Sequence, residues 1–311
     1  MEKKRAKIIV VGSINMDLVV KSEHIPVAGE TVTGQEFVMI PGGKGANQAV
    51  AAARLGAHVE MVGCVGGDPF GKQMLEQLGN EGVGTTYVTT DPQQTTGVAL
   101  IQVQDGENRI TVVPGANAQV TPAHVDEAQE VFVGADMLLV QLEIPQETVL
   151  RAVQLAKRHG VKVILNPAPA AVLPDEIWPY VDLVTPNETE AVILTSGQVG
   201  ETGADSQTIM NNLRSLTNTD VIITQGEKGV AYHLNGAAGS YPAYRVNVVD
   251  TTAAGDSFNA ALAVWHGEGC TLEQAIAFAA KVGALTVSRF GAQTSLPTRQ
   301  EVEEFEGQLN K

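Results

Sequence analysis

The sequence predicts an α/β protein, a mostly parallel sheet covered by helices on both faces, with a separate small β-layer. Two observations carry this. Through most of the 311 residues, short β-branched runs alternate with Ala-rich or amphipathic stretches, the pattern of a sheet whose crossovers are helices. Two stretches, 17–39 and 97–113, break that rhythm and read as strands divided by turn residues, with no helical period.

The elements follow in order. Lys7–Val11 is a β-branched run closed by Gly12, suited to a strand buried on both faces. Residues 46–55 are Ala-rich and followed by Gly56, a helix with a glycine stop. Residues 59–65 form a second strand, and 69–78 a helix with Pro at its start and Gly79 after it. In 97–113 the alternating run from Val98 to Val103 meets Asp105-Gly106 and then Arg109 to Val113, which predicts a hairpin. Both helix-free stretches are expected to leave the main sheet as a lid (about 14–40 and 96–114) on a single domain, 1–311, whose core is 1–13, 41–95 and 115–311. Met137–Val140, 163–165, Leu183–Val184 and 221–224 are further strands, separated by helices such as 148–159. Residues 229–234 and 240–244 flank Asn235-Gly236 and predict an antiparallel extension of the main sheet.

Composition narrows the function. The formal charge of −15 disfavours nucleic acid and anionic membrane surfaces, both polyanions. The run Ile8-Ile9-Val10-Val11 is too short for a secretory h-region, and no run reaches the ~18 apolar residues of a membrane span, so a soluble, cytoplasmic protein is expected. Cys64 and Cys270 lie far apart without a C-x-x-C, which reads as two small buried residues rather than a disulfide framework or zinc site. Glycine is in excess, 32 residues where a usual ~7% would give fewer.

Common nucleotide signatures are absent. Gly43-Lys44 is followed by Gly45 rather than Ser or Thr, and Gly12-Ser13-Ile14-Asn15 is not a dinucleotide fingerprint. Two other constellations stand out. Asp250-Thr251-Thr252-Ala253-Ala254-Gly255-Asp256 runs into an Ala-rich helix; small residues there expose backbone N–H groups at the positive helix end, an anion site. Asp256 at the helix start either faces a substrate hydroxyl or simply caps the helix. Pro41-Gly42-Gly43-Lys44-Gly45-Ala46-Asn47 is a second Gly-rich turn into a helix, permitting close backbone approach, with Lys44 and Asn47 as donors for hydroxyls.

With these residues, the chain resembles the ribokinase (phosphofructokinase-B) family of carbohydrate kinases over essentially its whole length. The motifs are Gly12 to Asp17, the G-G-K-G-x-N at 42–47, Asn187-Glu188-Thr189-Glu190, the T-x-G-x-x-G at 224–229, and the D-T-x-A-A-G-D at 250–256. The resemblance implies a three-layer α/β/α fold with a small β-sheet lid, and ATP-dependent phosphorylation of D-ribose on its 5-hydroxyl. It implies that Asp256 takes the hydroxyl proton, while N–H groups around Ala253, Ala254 and Gly255 form an anion hole for the γ-phosphate. Asn15, Asp17, Gly43, Lys44, Asn47 and Glu143 would hold the sugar hydroxyls. Asn187, Thr224, Gly226, Gly229 and Ala280 would line the nucleotide, with Glu190 reaching Mg²⁺ through water. Asp250, Thr252, Thr286, Arg289, Gly291 and Ser295 match the ligands of an activating monovalent cation, usually K⁺. A homodimer joined through the lid strands is also implied.

The chain departs from the family pattern in two places. The wider family reads G-A-G-D where this chain has Ala253-Ala254-Gly255-Asp256, and Ala280 replaces an Asn or His often found near the adenine. A kinase for another sugar, such as 2-deoxyribose, and a non-catalytic sugar- or nucleotide-binding regulator are the alternative readings.

Overall fold

The computed structural model describes residues 4–104, 107–196 and 206–310; the expected Asp105-Gly106 hairpin turn lies outside them. The strands are β1 (Lys7–Val11), β2 (Asn15–Lys21), β3 (Glu36–Gly42), β4 (His58–Gly66), β5 (Val83–Asp91), β6 (Gly97–Gln104), β7 (Glu107–Val113), β8 (Met137–Val140), β9 (Lys162–Leu165), β10 (Leu183–Val184), β11 (Asp220–Thr224), β12 (Val230–Leu234) and β13 (Ala237–Tyr241). The helices are α1 (Lys44–Arg54), α2 (Pro69–Asn80), α3 (Pro122–Glu127), α4 (Gln146–His159), α5 (Glu188–Ser196), α6 (Ser206–Thr217), α7 (Ala254–Gly267), α8 (Leu272–Val287) and α9 (Arg299–Glu304).

Nine strands form one sheet in the order β13-β12-β11-β10-β9-β8-β1-β4-β5. From β11 to β5 every pairing is parallel, and β12 and β13 add the antiparallel edge. Strand β1 shows why its run is continuously apolar. Ile8 and Val10 point into a core shared with α1, α7 and α8, whereas Ile9 and Val11 point into a second core shared with α4 and α6. That is a three-layer α/β/α arrangement.

Element ends differ from the sequence reading where local geometry decides. Helix α2 runs through Gly79 to Asn80, so Gly79 is inside it, and the chain turns at Gly82 with φ 78°. Helix α1 starts at Lys44, two residues earlier than expected, and α4 at Gln146. The second strand of the terminal hairpin begins at Ala237 rather than 240. Asn235 and Gly236 both have positive φ, the tight two-residue turn that pairs Leu234 with Ala237 directly. Cys64 is buried as expected, but Cys270 is only partly so.

The small sheet, order β3-β2-β6-β7, contains the strands of both helix-free stretches; residues 22–35 between β2 and β3 carry none. Register assigns its two faces. Asp17 pairs with Ile40 and Ala99, and Ala99 with Val112; two residues on, Val19, Val38, Ile101 and Ile110 form the next row of that face. Leu18, Met39 and Leu100 belong to the other face, as do Val20 and Phe37.

Candidate active site

The site forms over the carboxyl ends of the parallel strands, where an open α/β sheet leaves a crevice between its loops. Residues just beyond β1, β8, β9 and β10 are polar and buried: Ser13, Gln141, Asn166 and Thr185. The small sheet presents its Asp17 face to the same space. A cavity of about 350 Å³ lies between, lined among others by Asn15, Asp17, Gly43, Lys44, Asn47, Glu143, Asn187, Glu190, Ala253, Gly255 and Asp256.

The Gly-rich turn opens this cavity through two glycines. A Cβ on Gly42 would come 2.3 Å from the Asp17 carboxylate, so only glycine leaves that side chain room. Gly43 has φ 88°, and a Cβ there would lie 2.7 Å from the Asn15 backbone nitrogen. With Gly43 as the N-cap, α1 has no side-chain cap of its own. Its first N–H groups instead donate to other segments: Lys44 N to Glu143 Oε2 (3.1 Å), Gly45 N to Ser13 Oγ (3.2 Å) and Ala46 N to Ser13 O (2.9 Å). Ser13 Oγ also donates to Glu143 Oε2 (2.5 Å). Asn117 fixes the start of β2, accepting from Ile14 N and donating to Asn15 Oδ1 (2.7 Å).

Helix α7 begins beneath the cavity. Its N-cap, Ala253, sits in the left-handed region (φ 60°), which explains why glycine suits that position and marks it as strained for alanine. No side chain caps this end, and Gly255 faces the cavity. Asp256, in the first turn, is buried. Its Oδ2 accepts from Asn47 Nδ2 (3.0 Å) and its Oδ1 from Gln48 Nε2 (3.1 Å). Asp256 is thus more than a cap, since its carboxylate is held by side chains of α1.

The electrostatics are unbalanced. Four carboxylates, Asp17, Glu143, Glu190 and Asp256, face one ammonium, Lys44. Burial, together with Glu143 and Asp256, pushes the Asp17 carboxyl up to about 7 against the opposing pull of Lys44. Burial pulls the Lys44 ammonium down, but Asp256, Glu143, Glu190 and Asp17 outweigh it, leaving its pKa raised. Burial also raises Glu190, although the Asn187 N–H and Lys44 oppose it.

A second cavity of about 470 Å³ lies on the other side of the α7 start. Thr224, Gly226, Gly229, Ala254, Gly255 and Ala280 line it, with an apolar wall of Val246, Val248, Gly283, Ala284 and Val287. Thr224, Thr251 and Gly255 belong to both cavities. Asn187 and Glu190 cap α5 reciprocally, each accepting from the other's N–H (2.8 and 2.9 Å), and Asn187 is bridged to Thr224.

Of the predicted cation residues, Thr252 lines the first of these two cavities and the others line neither. Asp250 nonetheless joins both segments, accepting from Thr252 N (2.9 Å), Thr252 Oγ1 (2.7 Å) and Gly291 N (3.0 Å). Thr286 Oγ1 bonds Ser257 Oγ and Val282 O, Ser295 Oγ donates to Ala292 O, and Arg289 pairs with Glu301. Sequence reasoning missed Ser13, Gln48, Asn117, Gln141 and Asn166. Their one sequence signal is polarity within small or apolar runs, as for Gln48 in an Ala-rich helix.

Among the described residues no helix is long and apolar enough to cross a membrane. The family model described as pfkB family carbohydrate kinase matches residues 5–299. A ribokinase from Bacillus subtilis is 45% identical over 298 residues, 96% of this chain and 98% of its own. One from Haemophilus influenzae is 43% identical over 305 residues, 97% and 98% of the two chains. The structure of the Arabidopsis thaliana ribokinase complexed with ribose and ATP superposes with a TM-score of 0.88 at 35% identity, covering 97% of this chain and 98% of that one.

Proposed function

The chain belongs to the pfkB family of carbohydrate kinases, and from that premise we propose that it transfers the γ-phosphoryl group of ATP to the 5-hydroxyl of D-ribose, giving D-ribose 5-phosphate. One observation carries the reading: Asp256 and Gly255, at the uncapped start of α7, sit where a polar cavity meets an apolar one. The polar cavity suits a sugar, rich in hydroxyls and recognised by amides and carboxylates. The apolar one suits a purine, with the loop carrying Thr224, Gly226 and Gly229 beside its phosphates. The ribokinase relatives, and the one solved with ribose and ATP, support ribose as the acceptor.

Asp256 takes the proton of the attacking hydroxyl while Asn15, Asp17, Gly43, Lys44, Asn47 and Glu143 orient the sugar. The N–H groups of Gly255 and of Ala254, which in this structure donates to Thr251 O (3.3 Å), hold the transferring phosphoryl after the left-handed Ala253, and its loose transition state needs placement and charge stabilisation above all. Among the described residues no three acidic or His/Cys side chains cluster as metal ligands, so Mg²⁺ would come with ATP, held through water by Glu190 beside Asn187, and would offset phosphate charge. The oxygen donors of the 250–252 turn and the 286–295 segment, joined through Asp250, fit K⁺. In this reading Asp250, Thr252, Thr286, Arg289, Gly291 and Ser295 hold the ion, in part through carbonyls, and so stiffen the anion-hole loop.

The small sheet acts as a lid on the single domain, closing over the sugar to exclude water. Its outer face exposes Phe37 (59%), Met39 (48%) and Leu100 (41%) along a sheet with free edges, and we assign this face to a second copy in a homodimer. The reaction belongs to the cytoplasm, where ATP is made. An ADP-release screen over pentoses and hexoses, with and without K⁺, tests the reading. Ribose should be fastest and stimulated by K⁺. A clear preference for 2-deoxyribose would replace the substrate, and no release with any sugar despite ATP binding would make the chain a regulator.

A further inference from the structure

Gln48 is fully buried in α1, on the Ala-rich stretch that packs against α7. It does not line the sugar cavity. Every polar atom of its amide is nevertheless engaged. Oε1 accepts from Gln141 Nε2 (2.7 Å), and Nε2 donates to Asp256 Oδ1 (3.1 Å) and to Asn166 Oδ1 (3.2 Å).

The orientation of these amides follows from the carboxylate. Both oxygens of Asp256 accept from side-chain amides, so Gln48 turns its nitrogen towards it. The oxygen of Gln48 then faces Gln141, which must present its own nitrogen, and Gln141 Oε1 is left buried without a partner. Asn166 likewise gives its oxygen to Gln48 and donates its Nδ2 to Thr185 O (3.1 Å). The donors therefore run one way, from the end of β8 through α1 to the first turn of α7. On the other side, Asp256 Oδ2 meets Asn47 Nδ2, and Asn47 does line the cavity.

We propose that Gln48, oriented by Gln141 and Asn166, is the positioning residue that holds Asp256 Oδ1 on the protein side and leaves Oδ2 to receive the proton from the sugar. The inference rests on the reading of Asp256 as the base. Gln48 touches neither sugar nor nucleotide and acts only through the aim of that carboxylate. Its removal leaves the carboxylate held only at Oδ2, by Asn47, and able to turn about that contact, with Gln141 and Asn166 facing an apolar side chain, so the loss falls on turnover rather than on sugar binding.

Two variants test this. Gln48→Leu, checked for folding by its melting profile, should lower kcat about 10- to 100-fold, as outer-shell partners of active-site groups do, with the KM for sugar changed less than threefold. Gln48→Glu places a second carboxyl against Asp256, so one proton is shared between them. Asp17 on β2, Lys44 on α1, Glu143 beyond β8 and Glu190 on α5 face the same carboxylate and stay in place in both proteins. Measured as kcat at saturating sugar and ATP, the acidic limb of the Gln48→Glu pH profile should therefore move up by a unit or more. A kcat within twofold of the parent in Gln48→Leu, or an unmoved acidic limb in Gln48→Glu, overturns the proposal; the second readout stands even if the leucine variant does not fold. Asp256→Asn separates the two levels. If it abolishes turnover while both Gln48 variants behave like the parent, only the positioning role fails. If it leaves turnover intact, the reading of the base fails first.

Discussion

At the scale of single residues, the site rests on two carboxyls in different surroundings. Asp256 is held by Asn47 and Gln48 at the head of a helix, and as the base it should be worth about 10²- to 10⁴-fold in kcat. Asp256→Asn, nearly isosteric, should lose that much turnover while ATP still binds; retained turnover in a steady-state assay would remove the residue from the chemistry. Asp17 is the opposite case, a carboxyl in a site already crowded with negative charge. Its folded pKa of about 7 lies above the ordinary 3.8, so between those values the folded chain keeps a proton that the unfolded chain has released. Its contribution to stability is therefore greatest below that window and falls as pH rises towards 7, by up to about 4 kcal/mol. Asp17→Asn removes the titration, and its melting temperature should exceed the parent's by more at pH 8 than at pH 5. An equal difference at both pH values, read by calorimetry, would contradict the assigned environment.

At the scale of elements, the α7 loop and the small sheet are the parts for which we propose partners, a cation and a second copy. Asp250 ties the 250–252 turn to Gly291, and the turn leads into a strained Ala253. Asp250→Ala should abolish K⁺ activation; equal rates in K⁺ and in a large organic cation, for the parent enzyme, would sink the cation site. The small sheet is apolar on both faces, but only one of them looks at the sugar cavity. Leu100→Glu, on the outward face, should give monomers in sedimentation without changing the residues that touch the sugar. A variant that stays dimeric would move the interface elsewhere. These elements were also the ones most legible in the sequence. Helix-free runs at 17–39 and 97–113 can only be strands or loops, and a second layer is the simplest way to pair strands that the main sheet has no room for. The Gly79 stop was misread because an internal glycine costs a helix only about 1 kcal/mol, and the chain turns at the glycine of positive φ, Gly82.

At the scale of the whole molecule, the residues that announced themselves were those on motifs contiguous in sequence: Gly42 to Asn47 and Asp250 to Asp256. What stayed hidden was the support behind them. Ser13, Gln141 and Asn166 follow three separate strands of the main sheet and Asn117 lies in the turn after β7, and nothing local distinguishes a buried polar side chain from a solvated one until the fold brings these segments together. Net charge was equally silent about the site, because −15 is a sum over the whole chain, while phosphate would be met locally by backbone N–H groups, one lysine and bound cations. The two cavities beside the start of α7 share Thr224, Thr251 and Gly255, so they are adjoining rooms that meet at those three residues. A single molecule carrying a pentose and an adenosine, joined through a phosphate chain of the right length, would fill both. Once one half is seated, the other meets its room at an effective concentration on the order of millimolar, so the tethered inhibitor would outbind either fragment alone.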